Sequence, residues 1–166
     1  MKIKDFVISY YPYAKAVEDK TGLSAIAILS QAALESGWGE RAPGNMFFGV
    51  KDTDGVNGNE QLLTTTEYLK NPDAKFPKVI SKVFDPVKKL YKYIVKDYFR
   101  KYNTPEDSFN DHAVFFQKNK RYTQAWLVRN DYDKFFEEIA RVGYATAPGY
   151  SDILKTIAKR IKENIR

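Results

Sequence analysis

Residues 25–39 read AIAILSQAALESGWG. The largely apolar run is followed by Glu35, and Gly37 comes two residues later. Apolar side chains would lie nearly all round a helix formed by this run, which is typical of the central helix of a small helical domain. Ser24 is a suitable N-cap and Gly37 a suitable C-terminal stop, so the sequence predicts a helix that ends at about Ser36. Glu35 should therefore lie at the end of a buried helix.

Glu35 is the first candidate catalytic residue. Burial disfavours the charged form of a carboxyl, and the negative end of a helix dipole acts in the same direction, so we expect the pKa of Glu35 to be raised. A carboxyl with a raised pKa can act as a general acid near neutral pH. The alternative is a structural glutamate that is exposed to water or paired with Arg41.

Further helices are predicted on both sides of this stretch. Residues 3–20 carry apolar side chains at helical spacing, and we expect that helix to be broken near Pro12. Thr104-Pro105-Glu106-Asp107 has the cap, the proline and the acidic first turn of a helix start. The other predicted helices cover residues 121–128, residues 133–142 and the chain that follows a loop at 144–150.

The chain from about residue 45 to 102 has a different pattern. Glycine and asparagine predict loops over residues 40–60, and β-branched and aromatic residues predict strands further on. Strands are expected at 47–51, 62–69, 78–84 and 91–99, with a helix start at Asp85-Pro86 and a helix over 91–99 as alternatives. We therefore predict a single domain over residues 1–166, mainly helical, with a β lobe inserted at about 45–102.

Glu67 is the second candidate catalytic residue. It lies 32 residues after Glu35, in the β-rich part of a helical chain. A β lobe over a helical base would form a groove, and two carboxylates that face a groove are the usual means of cleaving a glycosidic bond. The alternative is a solvated glutamate on a threonine-rich strand.

The overall charge and the cysteine content limit the function classes. The net charge of +6 comes mostly from scattered lysines, which favours either simple solubility or attraction to nucleic acid, anionic lipid or an acidic cell wall. Nucleic acid is the weakest of these, since the sequence has no arginine-rich arm, helix-turn-helix pattern or zinc spacing. The absence of cysteine excludes disulfides, thiolate metal sites and a cysteine nucleophile.

Two further features could suggest a metal site. His112 is the single histidine of the chain, so an imidazole metal centre or a serine triad would be difficult to build, and we expect a packing or surface role. Asp52-Thr53-Asp54-Gly55 resembles the start of a calcium loop but lacks the later acidic ligands, so we interpret it as a turn. No metal and no cofactor is expected.

Several sequence blocks together resemble a known family. Ala33-Leu34-Glu35-Ser36-Gly37-Trp38-Gly39 and Gly143-Tyr144-Ala145-Thr146 are the specific ones, and weaker matches include Thr65-Thr66-Glu67-Tyr68 and Phe99-Arg100-Lys101-Tyr102. With these blocks the chain resembles, over about residues 6–165, the glucosaminidase domain of glycoside hydrolase family 73. That family includes muralytic domains of flagellar rod proteins, autolysins and phage lysins.

The resemblance implies a fold and a set of site residues. The expected fold is α+β, mainly α, and lysozyme-like, with a helical lobe and a smaller β-hairpin lobe. Glu35 matches the catalytic acid of the family, Glu67 its second carboxylate and Tyr144 a tyrosine near the reacting sugar. The stretch from Leu69 to Tyr98 is longer than the family's hairpin, which suggests an enlarged flap. Candidate substrate-binding residues are Trp38, Asn45, Phe48, Tyr68, Tyr122 and Trp126.

The function implied is cleavage of the β-1,4 bond after N-acetylglucosamine in peptidoglycan. Glu35 would protonate the leaving oxygen, while either Glu67 activates water or the substrate's acetamido group attacks. The alternatives are a muramidase or lytic transglycosylase on the same fold, and a non-catalytic module that binds the cell wall.

The expected partners follow from that substrate. They are peptidoglycan glycan strands, with no nucleic acid and no membrane span, and the protein should be a monomer. The N-terminal residues show no signal-peptide pattern. We therefore expect action at the bacterial cell wall or periplasm, after delivery by a phage, flagellar or secretion apparatus.

Overall fold

The computed structural model describes residues 2–165, which form two compact units. One unit comprises the chain up to Phe48 and from Tyr102 onward, and the other is Gly49–Lys101. Within the described residues the helices are α1 (Ile3–Thr21), α2 (Ala25–Ser36), α3 (Pro105–Lys118), α4 (Thr123–Leu127), α5 (Tyr132–Arg141) and α6 (Tyr150–Glu163), and the strands are β1 (Glu60–Leu69), β2 (Lys78–Asp85) and β3 (Leu90–Arg100). The single-domain interpretation stays a prediction.

Helix α2 forms the centre of the helical unit, as predicted. The Ser24 side chain accepts a hydrogen bond from the Ala27 amide at 3.3 Å, and Gly37 ends the helix in the left-handed region with a φ of 59°. Three other helices, α1, α5 and α6, pack against α2. Most α2 side chains are buried, because the apolar residues on all its faces have a neighbouring helix to contact.

Helix α1 is continuous through Pro12, so the predicted break is wrong. Proline lacks an amide hydrogen, which removes one hydrogen bond, the one to the carbonyl of Ile8. Pro12 and Ile8 are both exposed, and water can hydrate a carbonyl at the helix surface. The opposite face holds the helix to its neighbours through the buried residues Phe6, Val7, Ala14 and Val17.

The remaining helices follow the local signals closely. The Thr104 side chain caps α3 by accepting a hydrogen bond from the Asp107 amide at 3.2 Å. The predicted helix at 121–128 is divided into a 3-10 turn, Lys120–Tyr122, and the short helix α4. Helix α6 starts at Tyr150, the last residue of the predicted loop, and Tyr150 is buried.

The second unit is a three-stranded antiparallel sheet in the order β1-β3-β2. Residues 91–99 form the central strand, so the helical alternative is wrong there. The Asp85 side chain accepts hydrogen bonds from the amides of Val87 and Lys88, which closes the turn between β2 and β3 instead of starting a helix. The predicted strand at 47–51 is reduced to a single bridge between Lys51 and Phe99.

The observed elements confirm the predicted fold class, α+β and mainly α, of the lysozyme-like type. The stretch between Leu69 and Tyr98 contains β2, the turn and most of β3, which accounts for its length. Among the helices of residues 2–165, none is long and apolar enough to cross a membrane.

Candidate active site

The turn that ends α2 fixes the position of Glu35. The amides of Gly37 and Trp38 both donate hydrogen bonds to the Ala33 carbonyl, which tightens the chain directly after Glu35. Gly37 has positive φ, and a Cβ at this position would lie 2.9 Å from Nη2 of Arg41. The positive φ favours glycine here, and a Cβ would in addition displace the tip of the Arg41 side chain.

Glu35 combines access to solvent with a strongly perturbed carboxyl. Its side chain is exposed, yet burial of the carboxyl raises its pKa to about 7. A side chain can be exposed and still have a raised pKa. Water reaches part of the carboxyl, while the surrounding protein atoms displace much of the hydration that the charged form needs. Its hydrogen-bond partner is the Tyr144 hydroxyl, which donates to Oε1 at 2.9 Å, and not Arg41.

Tyr144 is held by its own loop and by an aromatic cluster. Its amide donates to the Ile139 carbonyl at 3.0 Å, and Arg121 fixes the preceding turn by donating to the Val142 carbonyl at 2.7 Å. Burial, followed by the nearby Glu35 charge, raises the pKa of the Tyr144 phenol. The phenol therefore stays protonated and acts as a donor to Glu35 across the working pH range.

A buried hydrogen-bonded chain lies one helical turn before Glu35. Nε2 of His112 contacts Oε1 of Gln31 at 2.8 Å, and Nε2 of Gln31 donates to the Tyr150 hydroxyl at 3.3 Å. Burial lowers the pKa of His112 to about 3, so the imidazole is neutral. Because the Gln31 amide oxygen can only accept, Nε2 is the ring nitrogen that carries the hydrogen. Of the two roles predicted for His112, packing or surface, the structure shows packing.

The sequence interpretation missed Gln31 and the role of Tyr150. A signal existed for Gln31, because residues four apart lie on the same helix face and Gln31 precedes Glu35 by four. A glutamine within an apolar helix needs a buried partner, which points to a polar network. Nothing local identified Tyr150 as that partner.

Glu67 lies on β1 in the sheet unit and contacts a lysine. Nζ of Lys51 is 2.7 Å from Oε1 of Glu67 and 3.2 Å from Oδ2 of Asp97. Burial alone would lower the pKa of Lys51, but its hydrogen bonds to these two carboxylates raise it overall. A protonated ammonium therefore lies between two carboxylates, and the catalytic role of Glu67 stays a prediction.

Three of the candidate substrate contacts are engaged with protein groups. Phe48 is buried and stacks on His112, with ring centroids 3.6 Å apart. Tyr122 is buried in the aromatic cluster, and the Asn45 side chain donates to the Tyr102 carbonyl at 3.1 Å. Their contact with substrate stays a prediction, and the structure gives each of them a packing or positioning role.

The other three candidates retain accessible ring surface. Trp38 is half-buried and lies edge-on to a phenylalanine of α1. Tyr68 is exposed, with Nζ of Lys88 3.7 Å from its ring centroid, and Trp126 is half-buried with the Arg129 guanidinium 4.7 Å from its ring. Rings with an open face are suited to contact with sugars.

The acidic and imidazole side chains of residues 2–165 are dispersed. No cluster of three or more histidine, cysteine, aspartate or glutamate side chains in this part of the chain has an arrangement that could hold a metal ion.

The family model and the solved structure with the same fold show that the chain is a glycoside hydrolase. The chain belongs to the glucosaminidase family: the sequence model described as mannosyl-glycoprotein endo-beta-N-acetylglucosaminidase matches residues 11–163. This match confirms the family that the sequence blocks suggested.

Known relatives agree with this family. The chain is 32% identical over 165 residues to the peptidoglycan hydrolase FlgJ of Vibrio parahaemolyticus, covering 96% of this chain and 47% of that protein. It is 27% identical to the exo-glucosaminidase LytG of Bacillus subtilis, covering 93% of this chain and 50% of LytG. The chain thus spans about half the length of these curated relatives.

A solved structure shows the same fold. The glycoside hydrolase domain of Salmonella typhimurium FlgJ superimposes with a TM-score of 0.72 at 27% identity, covering 98% of this chain and 90% of that domain.

Proposed function

We propose that the chain hydrolyses the β-1,4 bond after N-acetylglucosamine in peptidoglycan, with Glu35 as the general acid. The observation that carries this proposal is the Glu35 carboxyl, whose pKa of about 7 leaves it substantially protonated near neutral pH. The relatives named as a peptidoglycan hydrolase and an exo-glucosaminidase support the substrate. The net charge of +6 suits an acidic cell wall.

The hydrogen bond from Tyr144 supports a specific proton position on Glu35. Because the phenol donates to Oε1, the carboxyl proton is carried by Oε2 and is free to point at substrate. As the glycosidic C–O bond breaks, this proton passes to the leaving oxygen and Glu35 becomes a carboxylate. The Tyr144 bond then stabilises the negative charge, since hydrogen bonds to charged groups are stronger than those to neutral groups.

The second half of the reaction has two routes. In one, the Glu67 carboxylate takes a proton from a water molecule that attacks the anomeric carbon. In the other, the substrate's acetamido oxygen attacks first, and water opens the resulting ring. The first route gives inversion and the second gives retention at the anomeric carbon, so the anomer released first distinguishes them.

Product analysis tests the reaction. Purified peptidoglycan is digested, its new reducing ends are reduced with borohydride, and the fragments are identified by mass spectrometry. Reducing-end N-acetylglucosamine supports the proposal. Reducing-end muramic acid indicates a muramidase, and anhydro-muramyl ends indicate a lytic transglycosylase, so either contradicts it.

A matched pair of variants tests the acid. Glu35→Gln should bind glycan but lose turnover, whereas Glu137→Gln, an exposed glutamate of α5 paired with Lys155, should retain it. A non-catalytic wall-binding module predicts that Glu35→Gln behaves as wild type.

The proposed setting follows from the substrate. We propose that the protein acts as a monomer at the cell wall or periplasm, delivered by a phage, flagellar or secretion apparatus. Sedimentation tests the monomer, and fractionation of the producing cells tests the location.

A further inference from the structure

The loop at 52–60, which leads into β1, contains two buried side-chain oxygens that accept no hydrogen bond. The Asp52 side chain is only 3% exposed, and its Oδ1 has no hydrogen-bond partner. Oδ1 of Asn59 is buried and unpartnered in the same way. Buried polar atoms are almost always satisfied, because an unsatisfied one loses its hydration without a replacement. Two such acceptors in one short loop call for an explanation.

The same loop has an excess of negative charge. Asp52, Asp54 and Glu60 contribute −3 and the Arg100 guanidinium +1, so the group carries −3 + 1 = −2. Arg100 approaches the two aspartates only at 3.9 Å and 3.5 Å, distances longer than a direct hydrogen bond.

We propose that this loop binds one calcium ion through the carboxylates of Asp52 and Asp54 and the amide oxygen of Asn59. A divalent cation would give both unpartnered oxygens a ligand role and would neutralise the charge of −2. The donors are all oxygens, which excludes the softer metals that prefer nitrogen or sulfur. Calcium accepts mixed carboxylate and amide oxygens with flexible geometry, and water and backbone carbonyls can complete its shell.

The position of the Asn59 amide supports this donor set. Its Nδ2 lies 3.2 Å from Oδ2 of Asp54. The Asn59 amide therefore lies directly beside the Asp54 carboxylate, and its unpartnered Oδ1 belongs to the same amide group.

Glu60 is not a ligand but holds the loop in shape. Its carboxylate accepts hydrogen bonds from the amides of Asn57 at 2.9 Å and Gly58 at 3.0 Å. The sequence suggested a turn here because the later acidic ligands of a calcium loop are absent. The folded loop supplies the missing position with Asn59, a neutral residue that a search for acidic spacing does not find.

The ion would link two strands of the sheet unit. The Asp52 amide donates to the Tyr98 carbonyl at 3.0 Å, and the Lys101 amide donates to the Asn59 carbonyl at 2.8 Å. Both ends of the loop are therefore tied to β3 or the residue after it, while β1 starts at Glu60. A calcium ion held by Asp52, Asp54 and Asn59 would fasten the start of β1 to the end of β3.

Calcium titration of the chelator-treated full chain tests the site without any substrate, so its result is independent of the proposed function. We expect one ion per chain by isothermal titration calorimetry, with a Kd on the order of 10⁻⁴ M, as in extracellular calcium modules. At a hundredfold excess over Kd, the midpoint of thermal unfolding should rise by roughly 5–10 °C. No heat of binding and no shift in midpoint would overturn the proposal.

Variants locate the ion. Asp54→Asn keeps the side-chain shape and should weaken calcium binding at least tenfold, whereas Asp73→Asn, in an exposed turn outside the loop, should bind as wild type. Asn59→Asp should bind calcium more tightly, because it adds a charged ligand, and this variant remains informative if Asp54→Asn fails to fold. Three results would each overturn the proposal. The first is wild-type calcium affinity in Asp54→Asn, and the second is unchanged or weaker affinity in Asn59→Asp. The third is an equal shift of the unfolding midpoint with magnesium or sodium chloride at matched ionic strength.

Discussion

The two candidate catalytic glutamates lie in different electrostatic environments. Glu35 accepts a hydrogen bond from a neutral phenol, so burial determines the direction of its pKa shift. Glu67 lies 2.7 Å from a lysine ammonium that also contacts Asp97. A proton donor needs a neutral partner that does not remove its proton, whereas a group that acts as a carboxylate can lie beside a cation. The contrast shows how one residue type can be prepared for two opposite roles.

The largest expected effect is a loss of kcat that is greater for Glu35→Gln than for Glu67→Gln. Glu35→Gln should lower kcat by about 10²–10⁴-fold, the usual contribution of a general acid. Glu67→Gln should lower kcat less, by roughly 10–10²-fold, since the substrate's acetamido group can take over part of its role. Turnover of a soluble glycan fragment, measured with both variants and wild type, checks the order.

Asp97→Asn is the control for Glu67, because it removes the other partner of Lys51 and leaves Glu67 intact. If Asp97→Asn loses as much activity as Glu67→Gln, the lysine cluster is structural and Glu67 has no separate chemical role.

Removal of the phenol should change both the rate and the pH profile. The Tyr144 hydrogen bond lowers the pKa of Glu35, so Tyr144→Phe should raise it further, by about one unit for a lost bond to a charged group. The high-pH limb of kcat/KM, where the acid loses its proton, should therefore move from near pH 7 to higher pH, while kcat falls roughly tenfold.

Tyr132→Phe removes a phenol hydroxyl on α5 and should leave both quantities unchanged. A Tyr144→Phe profile that moves to lower pH would contradict the assignment of Tyr144 as a donor to Glu35.

The buried chain behind the site should affect stability more than chemistry. Gln31→Leu leaves the His112 Nε2 hydrogen without an acceptor, which should cost about 1–3 kcal/mol in the free energy of unfolding. The double variant Gln31→Leu/His112→Phe removes both partners and should recover part of that loss. Urea unfolding of wild type, Gln31→Leu, His112→Phe and the double variant closes this cycle, and additive effects would show that the contact carries no energy.

The remaining expected effect is on the pH dependence of stability and leaves the reaction itself aside. The pKa of Glu35 is raised from 4.5 in the unfolded chain to about 7 in the folded one, so the folded state binds the proton more tightly. Stability should therefore decline as pH rises from about 4.5 to 7, and this contribution should disappear in Glu35→Gln. Thermal midpoints of the variant and wild type, compared at pH 4.5 and 8, test this: a difference that does not grow toward pH 8 contradicts it.

The sequence predicted best those features that local chemistry determines. Ser24, Gly37 and Thr104 have cap signals within a few residues of the helix ends, and the structure places the ends there. Pro12 misled the prediction because its effect depends on whether the carbonyl one turn earlier can reach water, which is a tertiary property.

The interactions that complete the site connect distant parts of the chain. Glu35 and Tyr144 are separated by 109 residues, and Gln31 and Tyr150 by 119. Periodicity and caps carry no information on such pairs. The family resemblance supplied Tyr144 because its sequence block was present, whereas Tyr150 belonged to no block and was found only in the folded chain.

The solvent access of Glu35 has a consequence for successive turnovers. A general acid that gives its proton to a leaving group must be reprotonated before it can act again. A carboxyl sealed inside protein would need a relay of side chains to receive a proton, but the exposed side chain of Glu35 can take one directly from water or buffer. Reprotonation should then be fast, so the turnover rate should not depend on buffer concentration. Bond cleavage or product release would limit the rate.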